Sequence, residues 1–214
     1  MSERSIVVIS GGLSQPSSTR LLADRLADAT VTELAARGIT ARVHHVELRD
    51  LAHEVVNTML TGFATGELAT ALEAVKGADG VIAVTPIFST SYSGLFKSFI
   101  DVLDPDALTG TPVLIGANAG TARHSLAIDY AIRPLFTYLH AEPVSTGVFA
   151  ASSDWGAAPD EVAPLSARVE RGARELAEAV ARREAATASD PFDPDSYLGE
   201  GRSFGHLLGG LAGE

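Results

Sequence analysis

Hydrophobic residues follow two alternating patterns along the chain: short continuous runs, and longer stretches with helical spacing. The runs at residues 6–9, 81–84 and 113–115 are apolar without a break, which is typical of strands in the middle of a parallel sheet. Residues 39–48 and 144–149 mix polar with apolar side chains, as strands near a sheet edge do. The pattern therefore predicts five strands.

Helices are predicted between these strands because apolar residues recur three or four positions apart. The positions that define them are Leu22, Leu26, Ala29, Leu68, Leu72, Val75, Val162, Leu165, Val169, Leu176 and Val180. Alternation of strand and helix favours right-handed crossovers. We therefore expect an α/β fold whose parallel sheet has the strand order 2-1-3-4-5, with helices on both faces.

Two interruptions divide this pattern. Pro134 lies inside the helix expected between the fourth and fifth strands, so that helix should kink or restart there. From Ala185 onward the chain is rich in Pro, Gly and Asp, so we expect a compact domain over residues 1–184 and a tail over 185–214. The tail also carries Phe, Tyr and Leu residues, so it is either an arm packed on a neighbouring subunit or a disordered end.

Composition narrows the class of partner. The chain has 214 residues, 46% of them hydrophobic, and a mean hydropathy of +0.17, enough for a sizeable core. Its 27 acidic and 16 basic residues give a net charge of −11, which argues against a nucleic acid or an anionic membrane as partner. Without cysteine there is no disulfide, thiolate nucleophile or Cys-based metal site. A small-molecule ligand is therefore favoured.

Neither a membrane segment nor a metal site is expected. The first apolar run is too short for a signal peptide or a membrane span, so we expect a cytoplasmic protein. His44 and His45 are neighbours in a predicted strand, where adjacent side chains point to opposite faces, so they should not share a metal ion.

Candidate chemistry first appears in the loop after the first strand, residues 11–19, which opens onto a helix. In this strand order, ligands bind beyond the carboxyl ends of the strands. Hydroxyls at Ser17, Ser18 and Thr19, with the free N–H groups of a helix N-terminus, could surround a phosphate. Ser17 or Ser18 could instead be only an N-cap, and the two roles are compatible. Neither G-x-G-x-x-G nor G-x-x-x-x-G-K-[ST] is present, so a mononucleotide phosphate is favoured.

The loop after the third strand, residues 85–101, carries a motif that indicates which ligand is bound. It reads Thr-Pro-Ile-Phe, then Tyr-Ser-Gly, then Leu-Phe-Lys and a closing Asp. The stretch resembles the NAD(P)H-dependent FMN reductase family, which has a flavodoxin-like fold, and the likeness continues to Phe149. The loop after the fourth strand, residues 116–126, is similar to the family's Ala-Thr-Gly-Gly-Thr, with Asn118 in place of the first Thr and Ala119 in place of the first Gly.

The resemblance implies a set of FMN-binding residues in three loops. They are Ser14, Gln15, Ser17, Ser18 and Thr19 at the phosphate, Pro86, Ile87, Phe88 and Ser89 at the ring edge, and Asn118, Ala119, Gly120 and Thr121. Related reductases often have Arg where this chain has Gln15, so nearby Arg20 could supply the cation. Phe96 and Phe99 have helical spacing from Tyr92, which is also typical of core packing, so neither is assigned a role at the cofactor. His124 either contacts the ligand or a subunit, or only starts a helix.

The family implies an enzyme that reduces FMN with NADPH or NADH and passes the reduced flavin to a monooxygenase. No catalytic side chain is assigned, since hydride passes directly between the two cofactors. The alternatives are an FMN-retaining quinone or azo reductase and, because the chain is acidic, a flavodoxin-type electron carrier. A homodimer or homotetramer is expected, with Tyr92 and Phe96 as candidate contact residues.

Overall fold

A parallel sheet with helices on both faces forms the centre of the molecule in the computed structural model, which describes residues 3–155 and 164–183. The strands are β1 (Glu3–Ser10), β2 (Thr40–Glu47), β3 (Gly80–Phe88), β4 (Ser91–Tyr92), β5 (Pro112–Ala119), β6 (Glu142–Pro143) and β7 (Val148–Ala151). The helices are α1 (Ser18–Ala35), α2 (Ala52–Thr61), α3 (Gly66–Lys76), α4 (Gly94–Asp101), α5 (Arg133–Tyr138) and α6 (Leu165–Arg182). The predicted α/β fold is confirmed.

The sheet has the order β2-β1-β3-β5-β6, and β7 pairs with the later part of β5. The predicted order 2-1-3-4-5 is therefore confirmed for the main strands. The predicted number of five differs from the seven observed. One addition is β4, a two-residue antiparallel partner of β3.

The other addition lies around the predicted fifth strand: of residues 144–149 only 148 and 149 belong to a strand, β7, and β6 precedes the predicted range at residues 142–143. β6 pairs with the start of β5 and β7 with its end. Between them, the backbone N–H and the hydroxyl of Thr146 both donate to the carboxylate of Glu175 in α6, at 2.7 and 2.6 Å. Because the Glu175 carboxylate accepts these two bonds, the backbone N–H of Thr146 has a partner even though Thr146 lies outside the sheet.

Alternating residues of the strands fill two separate cores. Val7 and Ile9 of β1 pack on the side of α2, α3, α4 and α5, whereas Ile6 and Val8 pack on the side of α1 and α6, and all four are fully buried. Burial on both faces explains why the central strands have no polar position along most of their length.

Two helical regions refine the prediction. The helix predicted from Leu68, Leu72 and Val75 is α3, and a further helix that was not predicted, α2, precedes it and ends at Gly62 in a left-handed conformation (φ 80°). A turn of π-helix, Ile128–Ile132, leads into α5, and Pro134 lies in the first turn of α5. The predicted restart of the helix at Pro134 is confirmed, since proline is tolerated at a helix start.

Some predictions fall on residues outside the described ones, namely Val162 and the tail over 185–214. Over residues 3–155 and 164–183, no helix is long and apolar enough to cross a membrane.

Candidate functional site

A pocket of about 390 Å³ lies where the carboxyl ends of β1, β3, β5 and β7 meet. The loops after all four strands contribute to it, as the rule for open parallel sheets predicts. Its lining residues are Leu13, Ser14, Ser18, Thr19, Pro86, Ile87, Phe88, Asn118, Ala119, Gly120, Ser152 and Trp155. None of these lining residues is charged.

The pocket brings together nine of the thirteen residues predicted to bind the cofactor. The other four, Gln15, Ser17, Ser89 and Thr121, lie in the same loops but do not line it. Gln15 is exposed, and Thr121 caps the short 3-10 segment Ala122–His124. His124 is half-buried in that segment and does not line the pocket either.

We call Ser14, Ser18, Thr19 and Asn118 the hydroxyl side of the pocket. Ser17 precedes it as the N-cap of α1, where its hydroxyl accepts a hydrogen bond from the backbone N–H of Arg20 at 3.2 Å. Gly12 packs directly under this cap, because a Cβ added there would lie 2.1 Å from the Ser17 hydroxyl oxygen. A side chain at position 12 would therefore displace the Ser17 hydroxyl from its place in the cap.

Asn118 joins the loop after β5 to the start of α1. The Thr19 hydroxyl donates to Asn118 Oδ1 at 2.8 Å, and Asn118 Nδ2 donates to the Ser18 hydroxyl oxygen at 2.9 Å. Asn118 and Thr19 are buried, with 7% and 2% of their surface exposed, whereas Ser18 is exposed to the pocket. Two loops about 100 residues apart in sequence are thus fixed to each other through one amide.

We call Pro86, Ile87 and Phe88 the apolar side of the pocket. They end β3, and the strand turns directly into β4, pairing Ile87 with Tyr92. Both central residues of this two-residue turn, Ser89 and Thr90, have positive φ values of 49° and 72°, as a type I′ hairpin turn requires. Non-glycine residues adopt this conformation at a cost, so the hairpin is held in a strained form beside the pocket. The turn leaves Phe88 with 47% of its surface exposed.

Thr85 fixes the base of the apolar side. Its fully buried hydroxyl accepts a hydrogen bond from the backbone N–H of Ser93 at 3.0 Å and donates to the carbonyl of Pro86 at 3.0 Å. Ser93 in turn is the N-cap of α4. The end of β3 is therefore tied to the helix that follows it.

Sequence reasoning missed Ser152 and Trp155, which follow β7 in a 3-10 segment and line the pocket. The guanidinium of Arg25 in α1 lies over the Trp155 ring, 4.9 Å from its centroid. The backbone N–H of Ala151 donates to Asp154 at 2.7 Å, which holds the segment in place. The lone Trp of the chain, placed after a strand at the carboxyl edge, was the signal that could have identified this wall.

Arg20 is directed away from the pocket. Its guanidinium donates to Asp24 at 2.6 Å and to Glu47 at 2.8 Å, and these hydrogen bonds raise the pKa of Arg20 above its usual value. It lines a different pocket, also about 390 Å³, beside β2. The sequence hypothesis that Arg20 replaces the cation missing at Gln15 therefore finds no support in this geometry.

That second pocket, which we call the β2 pocket, is charged. Its polar walls include His44, His45, Glu47, Asp50 and Glu67. Burial, followed by the charge of Arg20, lowers the pKa of His45, although Asp24 lies 3.8 Å away. Burial outweighs this carboxylate because the pair is too long for a hydrogen bond. Over the described ranges, no group of three or more His, Cys, Asp or Glu side chains is arranged to hold a metal ion.

The uncharged pocket fits a flavin mononucleotide better than the β2 pocket does. Its hydroxyl side offers donors at the start of an 18-residue helix, which suits a phosphate. Its apolar side offers a proline, an isoleucine and a phenylalanine to a flat ring. A pocket that combines both features matches a ligand that is anionic at one end and aromatic at the other.

Comparison with known proteins identifies the family. Residues 4–156 match the model of the NADPH-dependent FMN reductase family. The chain is 35% identical to an FMN reductase (NADPH) of Pseudomonas aeruginosa over 80% of its own length and 90% of that protein. It is 33% identical to the NADH-dependent FMN reductase SfnF of Pseudomonas fluorescens over 80% of its length and 89% of that protein.

A solved structure supports the same assignment. An oxidoreductase from Corynebacterium diphtheriae superposes with a TM-score of 0.82 at 44% sequence identity, covering 86% of this chain and all of that one. The flavodoxin-like fold and the oxidoreductase class predicted from the loop after β3 are confirmed. This chain belongs to the NADPH-dependent FMN reductase family.

Proposed function

We propose that the uncharged pocket binds FMN, with the phosphate on residues 14–19 and the ring edge against residues 86–89 and 118–121. The observation that carries the proposal is the pairing of an uncharged hydroxyl wall at the start of α1 with an apolar wall at the end of β3. When bound, FMN supplies the ring that accepts hydride from NADPH or NADH.

The chain's own residues bind and orient the ligand. Ser18 is exposed and lines the pocket at the first position of α1, where backbone N–H groups have no partner within the helix. Pro86 has no N–H and Ile87 is buried, so the apolar side offers a rigid surface with little conformational freedom to lose. No side chain is required to transfer a proton, which agrees with the uncharged lining of the described pocket.

We further propose that the flavin leaves the protein after reduction and passes to a separate monooxygenase. The support is the absence of Lys, Arg and His among the described lining residues, so the phosphate is held by neutral donors alone. An Arg or Lys would add the attraction between opposite charges to the hydrogen bonds, so a site without a cation holds the phosphate of its flavin less tightly. NADPH and NADH are intracellular reductants, and we propose that the protein works in the cytoplasm.

Steady-state kinetics test this proposal against an FMN-retaining enzyme. The purified protein should oxidise NADPH or NADH with added FMN, saturate with free FMN and follow a sequential pattern. Gel filtration should separate the protein from its flavin. Flavin that stays bound through gel filtration, together with ping-pong turnover of a quinone, would show that the flavin is a retained cofactor.

We propose that the protein is a homodimer or homotetramer. The support is an exposed apolar patch on α2 and the residue after its C-cap, formed by Val56, Met59, Leu60 and Phe63, which are 51–81% exposed. α2 packs beside α4, the helix that follows the Tyr-Ser-Gly segment. Patches of this kind usually mark interaction sites. Leu60→Glu should lower the mass measured by light scattering, and an unchanged mass would show that a second copy does not cover this patch.

One of the two predicted contact residues is wrong. Phe96 is fully buried and packs between Tyr92 and Phe136, with ring centroids 6.4 and 6.3 Å away. A side chain in the core cannot contact another subunit. Tyr92 is half-buried and stays a predicted contact residue.

A further inference from the structure

Asn118 stands where the family's pattern has threonine, and its side chain makes hydrogen bonds to two other residues of the hydroxyl side. It accepts from the Thr19 hydroxyl and donates to the Ser18 hydroxyl, as described above. The side chain is more than nine-tenths buried and lies at the end of β5, opposite Pro86 in the sheet. Asn118 thus reaches the hydroxyl side from a different part of the chain.

Because of these two hydrogen bonds, the hydroxyls of Ser18 and Thr19 differ in whether they can donate a hydrogen bond to a ligand. Each hydroxyl has one hydrogen to donate. Thr19 donates its hydrogen to Asn118 Oδ1, so it has none left for a ligand. Ser18 receives a hydrogen from Asn118 Nδ2, so its own hydrogen stays available to a ligand in the pocket that Ser18 lines. An anion in the pocket therefore meets Ser18 as a donor and Thr19 only as a structural residue.

We propose that Asn118 is a positioning residue that makes Ser18 a donor to the flavin phosphate and thereby sets the preference for FMN over riboflavin. The proposal rests on the FMN site proposed above. Riboflavin has the same ring and ribityl chain but no phosphate. A group that acts through the phosphate changes the affinity for FMN alone.

A purely structural role of Asn118 gives a different result. If the amide only joined the two loops, its loss would deform the whole pocket and weaken FMN and riboflavin by the same factor. The ratio of the two dissociation constants separates the roles. Because both flavins report on the same folded protein, this ratio is also insensitive to partial unfolding of a variant.

The experiment measures dissociation constants of FMN and riboflavin by flavin fluorescence titration of the flavin-free protein. Ser18→Ala should reduce the preference for FMN about tenfold, since one hydrogen bond to a charged group is lost. Asn118→Ala should reduce it about threefold or more. Asn118→Asp, of the same shape, should reduce it further because its carboxylate competes for the Ser18 hydrogen and repels phosphate. Thr30→Val removes another buried α1 hydroxyl, one that donates to Leu26, and should leave the preference unchanged.

A double variant shows whether Asn118 acts through Ser18. In a Ser18→Ala background, Asn118→Ala should cause no further loss of preference. If Ser18→Ala lowers the preference but Asn118→Ala shifts both flavins equally, the site is right and the positioning role is wrong. If Ser18→Ala changes neither flavin, the phosphate is bound elsewhere, which overturns both the positioning role and the proposed site.

Discussion

The hydroxyl side and the apolar side of the pocket differ in what holds their residues in place. On the hydroxyl side, side chains bond to one another: Asn118 to Ser18 and Thr19, and Ser17 to the first turn of α1. On the apolar side, the tight backbone turn at Ser89 and Thr90 holds the tip, and a side chain, the Thr85 hydroxyl, contributes only at the base. Side-chain hydrogen bonds fix the direction of donors, whereas a backbone turn fixes the position of a surface.

Because the two sides would contact different parts of the flavin, comparing the affinities for FMN and riboflavin separates their roles. Substitutions on the hydroxyl side should distinguish FMN from riboflavin, because only FMN carries the phosphate. Substitutions on the apolar side should weaken both flavins alike, because both carry the ring.

Gly12→Ala should have the largest effect. The added Cβ would lie 2.1 Å from the Ser17 hydroxyl and 3.1 Å from Thr19 Cβ, so the cap of α1 must move. We expect FMN affinity to fall more than about tenfold, and the free energy of unfolding to fall by about 1 kcal/mol as the cap is lost. Fluorescence titration and thermal unfolding measure the two effects.

The matched control is Gly77→Ala, at the end of α3, where a Cβ meets only a carbonyl at 3.5 Å and φ is negative. It should leave FMN affinity unchanged. Equal losses of FMN affinity in both variants would show that the contact between residue 12 and the Ser17 cap does not determine FMN binding.

Phe88→Ala should weaken FMN and riboflavin by the same factor, about tenfold, because it removes a large apolar surface from the ring side. The side chain is half exposed, so the melting temperature should hardly change. A loss confined to FMN would place the phosphate, and not the ring, against Phe88.

Thr90→Gly should stabilise the protein. A β-branched residue at a φ of 72° is strained, and glycine adopts this conformation without penalty. We expect a gain of about 1 kcal/mol, or about 2–4 °C in melting temperature for a protein of this size. A lower melting temperature would mean that the Thr90 side chain makes contacts that outweigh the strain.

The smallest effect concerns His45, outside the pocket. Its pKa is lowered from 6.5 in the folded state, so the unfolded chain binds a proton more readily and stability falls as the pH drops below about 6.5. His45→Gln should make the melting temperature less dependent on pH between about 7 and 5, with His44→Gln as the control. An unchanged pH dependence would show that His45 ionises equally in both states.

The sequence was sufficient for the sheet order because burial leaves a strong pattern. The unbroken apolar runs of β1, β3 and β5 placed these strands at the centre, where the structure has them. The prediction was wrong for residues 144–147, which lie between β6 and β7; there Thr146 bonds to Glu175, about thirty residues away, and no local pattern encodes that contact.

The loops of the site were predictable from the strand order and the family resemblance, but the roles of their residues were not. Ser17, Ser18 and Thr19 look equivalent in sequence, yet one is a cap, one is exposed and one is buried. From the sequence, Arg20 was a candidate cation for the flavin phosphate, but in the structure its guanidinium is paired with Asp24 and Glu47. Partners that lie far away in sequence decide each of these roles.

A crystal structure of the protein with FMN tests the central claim most directly. We expect the phosphate within hydrogen-bond distance of the Ser18 hydroxyl and the first N–H groups of α1, and the ring against Pro86, Ile87 and Phe88. Flavin bound in the β2 pocket, against His44 and His45, would contradict the account.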